Sequence, residues 1–126
     1  MEKDARFWFD QVEYEMETAR AMLRSRRYRY VVFCCHLAIE KTLKGLVAAA
    51  TGTTPPRTHD LGRLAELADL VLPVAYGRFL DELTTLALEA RYPVLGLPFP
   101  RKKAREVLEQ TEQVLAWLKQ QRTSKG

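Results

Sequence analysis

One stretch, Tyr28 to Ala50, limits what this chain can become. It reads Y-R-Y-V-V-F-C-C-H-L-A-I-E-K-T-L-K-G-L-V-A-A-A and is the most apolar run in the sequence. Between Val31 and Ile39 only His36 is strongly polar. A strand rarely runs this long, and the Ala- and Leu-rich second half favours a helix of about six turns. A helix apolar nearly all round must be covered nearly all round, which makes it the central helix of a bundle. Its second half is too polar to span a membrane, which takes about 20 mostly apolar residues. The polar side chains that it carries are aligned. His36, Glu40 and Lys44 recur at i, i+4 and i+8 on one face, with Lys41 beside them.

The rest of the chain has to supply the covering helices. Its 126 residues suit one domain, residues 1–126, and not two. Ala5, Phe9, Val12, Met16, Ala19 and Leu23 form one apolar stripe, predicting a first helix from Asp4 to Arg24 with Glu13, Glu15 and Glu17 off the stripe. Arg24, Arg26, Arg27 and Arg29 mark a short turn, so the first two helices are antiparallel neighbours; the cluster reads as a solvated helix end rather than a phosphate clamp. Gly52 is a plausible C-cap, and Pro55-Pro56 cannot continue the central helix. Asp60, or Thr58 before it, can cap a short third helix with Leu61, Leu64, Ala65, Ala68 and Val71 inward and Pro73 as its stop. A fourth helix spans Val74 to Ala90, and R-Y-P-V-L-G-L-P-F-P breaks the pattern. The last helix opens near Pro100 or Arg101 and runs to about Gln121 on Ala104, Val107, Leu108, Thr111, Val114, Leu115 and Leu118. The fold class is all-α, an up-and-down helical bundle of four long helices plus one short helix.

Composition narrows the setting. Met1 to Asp4 leads into an amphipathic pattern rather than an apolar leader. Cys34 and Cys35 are helix neighbours pointing about 100° apart, a poor geometry for a bridge, so a reduced, cytoplasmic protein is expected. The net charge of +4 permits an anionic partner without demanding one.

Most catalytic templates are absent. There is no Gly-rich phosphate loop, no C-x-x-C and no H-E-x-x-H. His36 and Glu40 share a face, but Lys41 and Lys44 beside them oppose a dication, so no metal and no cofactor is expected. Buried cysteines beside His36 are packing rather than nucleophiles. Three places hold polar groups that invite a role: Glu40, Lys41 and Lys44 within the most buried helix; His59 and Asp60 in T-H-D-L; and Arg91 and Tyr92 in A-R-Y-P.

Taken in order, A-I-E-K-T-L-K-G-L, T-H-D-L and A-R-Y-P resemble the HEPN domain (higher eukaryotes and prokaryotes nucleotide-binding), over nearly the whole chain. The resemblance implies an up-and-down bundle, usually dimeric. It also implies a minimal nucleotidyltransferase as partner in a two-component or toxin–antitoxin system. Glu40, Lys41, Lys44, His59, Asp60, Arg91 and Tyr92 become the nucleotide-binding positions, with lysine and arginine taking phosphates of an ATP- or GTP-class ligand and Tyr92 stacking on a base. RNA is a further ligand that the family admits. Ribonuclease members carry a late Arg followed by four to six residues and a His. Here no histidine follows His59, so Arg91 has no such partner, and Arg29 with His36 has the spacing on the wrong element. No catalytic residue is assigned. The reading is a nucleotide-binding module; the alternative is a ribonuclease with a non-standard acid–base set that includes His59. Phe7, Trp8, Tyr14, Tyr30, Leu95, Leu97, Phe99 and Trp117 lie off or beside the apolar stripes, and this excess predicts a homodimer.

Overall fold

The computed structural model describes residues 4–91 and 99–124. Along them run α1 (Ala5–Phe9), α2 (Val12–Arg24), α3 (Tyr28–Thr51), α4 (Leu61–Leu67), α5 (Val74–Arg91) and α6 (Arg101–Ser124). The architecture is all-α, with α3 as its axis: every other helix packs on it. From Val31 to Ala48, α3 is buried at every position except Phe33, Leu37 and Lys41, which form one half-open stripe at four-residue spacing. Val31, Val32, Ile39 and Leu43 of α3 are fully buried with Met16 of α2 and Leu61 and Leu64 of α4. Leu80 and Leu83 of α5 and Val107, Val114 and Leu118 of α6 complete this core. Each such side chain stabilises by roughly 1.5–3 kcal/mol, so this cluster dominates what holds the helices together.

The ends of the helices follow from local chemistry. The Asp4 carboxylate accepts from the Phe7 N–H at the start of α1, and the Asp60 carboxylate from the Arg63 N–H at the start of α4. Gly52 closes α3 at φ 70°, the left-handed region where a glycine meets no steric penalty. Between α2 and α3 the left-handed position is taken by Arg26 at φ 64°. The Arg27 N–H donates to the Met22 carbonyl at 2.8 Å, closing α2 in a Schellman-type turn that sends α3 back along it.

Three expectations are corrected. The single helix from Asp4 to Arg24 is interrupted at Asp10 and Gln11, where the Gln11 N–H bonds the Trp8 carbonyl in a tighter, i to i−3 pattern. The interruption lets α1 lean on α3, and Phe9 fits where Gly45 has no side chain. A Cβ at Gly45 would clash with the Phe9 ring. The third helix ends at Leu67, before Pro73 can act. Asp69 adopts φ 58° and the Leu70 N–H returns to the Ala65 carbonyl, so Val71 leaves the buried stripe and is 90 % exposed. The last helix passes Gln121 and continues to Ser124.

The aromatic surplus is smaller than its sequence suggests. Trp117 meets the Tyr76 ring edge-on at 6.0 Å, and both pack against the core with Phe99. Phe7 and Trp8 meet edge-on at 5.1 Å. Phe7, Tyr14, Tyr30 and Leu88 stay exposed, while Leu95 and Leu97 lie outside the described residues.

Candidate functional site: a buried carboxylate on the central helix

The i, i+4, i+8 stripe of α3 places His36, Glu40 and Lys44 in one row, all three buried. The loop after Gly52 folds back over that row, with Pro55 buried beneath it, and brings His59 to it twice. The His59 carbonyl accepts from His36 Nε2 at 3.0 Å, and His59 Nδ1 meets Glu40 Oε1 at 2.7 Å. Adjacent imidazole and carboxylate groups on α3 thus hold one loop residue by its backbone and by its ring. The other oxygen of Glu40 accepts from Lys44 Nζ at 3.2 Å. Trp8 of α1 lies over this ammonium, ring centroid to Nζ 5.4 Å. His36 Nδ1 stands 3.6 Å from Glu40 Oε1, beyond hydrogen-bond length.

The chemistry of Glu40 follows from its partners. A carboxylate facing an ammonium only accepts, so His59 donates from Nδ1, and in the neutral ring Nε2 keeps the lone pair. The His59 side chain is 66 % exposed whereas that of Glu40 is 6 % exposed. The arrangement is a buried acceptor orienting an exposed imidazole. A divalent cation at Glu40 would have Lys44 Nζ as an immediate neighbour, which opposes its binding. Among the described residues, no group of three or more His, Cys, Asp or Glu is arranged to hold a metal ion.

The remaining predicted positions separate. Lys41 does not join the row; it crosses to α2 and donates to Glu15 Oε2 at 2.9 Å. Asp60 caps α4, and its N–H donates to Thr58 Oγ1. Arg91 ends α5, but its side chain and Tyr92 lie outside the described residues. Ala90, just before them, lines a cleft with Arg29, Tyr30 and Phe33, roughly two to three turns of α3 below Glu40. The structure therefore unites the first two motifs at Glu40 and sets the end of α5 toward the opposite end of the bundle. Sequence reasoning missed Glu15, Trp8 and the Phe9–Gly45 fit as parts of this region. A glycine inside an unbroken helix is the signal that announces the last of these.

The cysteines take no part. Burial, helped by the Glu15 charge, pushes the Cys34 thiol up to about 11. Burial pushes Cys35 up to about 12. Both are free thiols held in the neutral, unreactive form. No helix among the described residues is long and apolar enough to cross a membrane.

The family model of the HEPN domain matches residues 5–121. The chain belongs to the HEPN domain family. Two solved structures share the fold. TT1696 from Thermus thermophilus superposes with a TM-score of 0.77 at 26% identity, over 92% of this chain and 96% of that one. ST0689, an archaeal HEPN homologue, gives 0.75 at 25% identity, over 94% of this chain and 98% of that one. No curated protein matches the chain. In this HEPN domain the E-K-x-x-K element is the hub of the fold's polar interior, with T-H-D-L docked on it.

Proposed function

We propose that this HEPN chain is a binding module for a nucleotide of the ATP or GTP class. It would act as the helical partner of a minimal nucleotidyltransferase in a two-component or toxin–antitoxin pair. The observation that carries the reading is the clamped, exposed His59 above the Glu40–Lys44 pair. A donor fixed before the ligand arrives loses little freedom on binding. In this reading Glu40 orients His59 and Lys44 toward the ligand, and Lys41, Asp60, Arg91 and Tyr92 are the further nucleotide-binding positions that the family resemblance assigns. The working assembly is a homodimer. Calorimetry with ATP, GTP and their diphosphates tests the module: micromolar to millimolar binding that weakens in His59→Ala is expected. No heat from any of them at millimolar concentration would reduce the cluster to a brace.

A second reading has one observation in its favour. Glu40 leaves Nε2 of the exposed His59 ring as a proton acceptor, the arrangement a general base needs. That supports a ribonuclease working without the late Arg–His pair. Incubating RNA with the wild type and with His59→Ala separates the two readings. Cleavage that vanishes in the variant selects the enzyme; no cleavage by either selects the module.

A further inference from the structure

The turn between α2 and α3 carries a dense cluster of positive charge. Arg24, Arg26, Arg27 and Arg29 fall within six residues, and no Asp or Glu occurs between Glu17 and Glu40. All four are exposed. Elsewhere, surface arginines such as Arg20 and Arg63 meet carboxylates, those of Glu13 and Glu66. Among the described residues, no ion pair involves the four arginines of the turn. Guanidinium groups stay charged at every physiological pH, so their mutual repulsion is not relieved within the described chain.

The same turn is shaped as a cleft. Arg26, Arg27 and Arg29 line a space of about 340 Å³ with the rings of Tyr28, Tyr30 and Phe99. That volume is at the small end of ligand pockets, roughly 300–1,000 Å³. Its wall includes the N-terminus of α3, capped by Arg27 without a side-chain hydrogen bond, where the helix dipole favours an anion. Arg101 and Lys102 open α6 just after Phe99 and add charge at the same end. Arg26 adopts φ 64°, the backbone position that glycine fills most cheaply. An arginine kept there sacrifices stability for its guanidinium, which is a reason to look for what the guanidinium holds.

We infer that this cleft is a phosphoryl-binding site. Arg26, Arg27 and Arg29 take the phosphate chain of a nucleoside di- or triphosphate, and the exposed Tyr30 ring stacks on its base. The inference rests on the nucleotide-binding reading and moves the phosphates away from Lys41 and Lys44. Both lysines already face carboxylates at 2.9 Å and 3.2 Å, so a phosphate there would have to displace Glu15 or Glu40. Among the described residues, the arginines of the turn have no such carboxylate to displace. Guanidinium groups beside rings are the pairing that suits a ligand with a charged chain and a flat base.

Calorimetry of ATP, GTP and inorganic tripolyphosphate against wild type, Arg26→Gly, Arg29→Gln and Tyr30→Ala tests the site. Arg26→Gly should melt at or above the wild-type temperature, yet bind ATP about tenfold more weakly, the loss of one charge-assisted hydrogen bond. That opposition separates a binding role from a structural one. Arg29→Gln should weaken ATP and tripolyphosphate alike, whereas Tyr30→Ala should weaken ATP and leave tripolyphosphate unchanged. ATP affinity unchanged in both arginine variants but lost in His59→Ala overturns the turn site and leaves the groove reading standing. No nucleotide binding by the wild type overturns both. Equal affinity for ATP and tripolyphosphate, insensitive to Tyr30→Ala, overturns the stacking role.

Discussion

His59 Nδ1 lies 2.7 Å from Glu40 Oε1, a contact that ties the loop between α3 and α4 to the middle of the central helix. His36 one turn earlier holds the carbonyl of the same residue. The loop between Gly52 and Asp60 is otherwise exposed, apart from Pro55 and part of Thr58, so these two bonds decide whether it stays closed. Arg57 is exposed within that loop. Replacing His59 by Ala should speed tryptic cleavage after Arg57 several-fold with little change in the global melting temperature, since local opening governs such cuts. Mass spectrometry of timed digests reads this directly. An unchanged cleavage rate would mean that the prolines, not the histidines, hold the loop.

Lys44 and Glu40 form a buried ion pair, and neither can lose its partner without leaving a charge in the core. Breaking such a pair costs about 3–5 kcal/mol. Lys44→Ala should therefore lower the melting temperature by roughly 10 °C or more in a chain of this size. The double variant Glu40→Leu/Lys44→Met should be less destabilised than either single change, because an apolar pair of similar volume needs no compensation. Chemical denaturation of the three variants checks the sign of the coupling.

The hub was legible in the sequence because its three α3 members obey helical periodicity, which needs no tertiary information. His59 was legible as a candidate only through the T-H-D-L motif; its contact with Glu40 depends on how the loop folds back. The role of Glu15 was illegible for a physical reason. It lies off its own helix's apolar stripe, yet the tight turn at Ser25–Arg27 sets α2 against α3 so that a long lysine side chain reaches it. The break at Asp10 and Gln11 was illegible because both residues keep right-handed helical angles, with φ −66° and −92°. What shifts is the hydrogen-bond pattern, with the Gln11 N–H on the Trp8 carbonyl. The arginine turn reads as a solvated helix end, and its four arginines are exposed; the cleft beside them is invisible in the sequence.

The Phe9–Gly45 fit gives a sign reversal to measure. In the wild type, Gly45→Ala forces a methyl group against the Phe9 ring, and overpacking of this kind costs about 1–3 kcal/mol. In a Phe9→Ala background the clash disappears, and alanine's better helix propensity should then stabilise α3 by up to about 1 kcal/mol. A Gly45→Ala change that destabilises equally in both backgrounds would show that Phe9 is not the neighbour that matters.

The buried thiols predict an alkaline weakness. An unfolded cysteine ionises near the reference value of 9.0, whereas in the fold Cys34 waits until about 11 and Cys35 until about 12. Above pH 9 the unfolded chain binds fewer protons than the folded one, so stability falls as pH rises toward 12 and is unaffected by these groups below 9. The comparison that isolates the thiols is with Cys34→Ala/Cys35→Ala. Between pH 8 and 10.5 its unfolding free energy, from guanidinium titration, should fall less than the wild type's, by on the order of 1 kcal/mol. Equal slopes would mean that the thiols ionise in the fold as they do in the unfolded chain.

The half-open stripe of α3 sets the last prediction. Phe33, Leu37 and Lys41, at four-residue spacing, are the only α3 positions between Val31 and Ala48 that are not buried. An apolar row on the most buried helix of a bundle is a natural seam for a second copy, because two such rows related by a two-fold axis cover each other. A stable dimer needs on the order of 1,200–2,000 Å² buried in total, and the stripe with the flanking exposed Tyr14 and Leu88 can anchor a patch of that kind. Light scattering behind a sizing column should give about twice the 14.5 kDa chain mass. Leu37→Asp should return the mass to that of one chain while circular dichroism stays helical, since Leu37 is only half-buried within the monomer. A wild type that elutes as one chain at concentrations of roughly tens of micromolar would sink the homodimer, those being levels at which an interface of standard size is populated. A dimer untouched by Leu37→Asp would instead move the seam to the α1 face, where Phe7 is exposed.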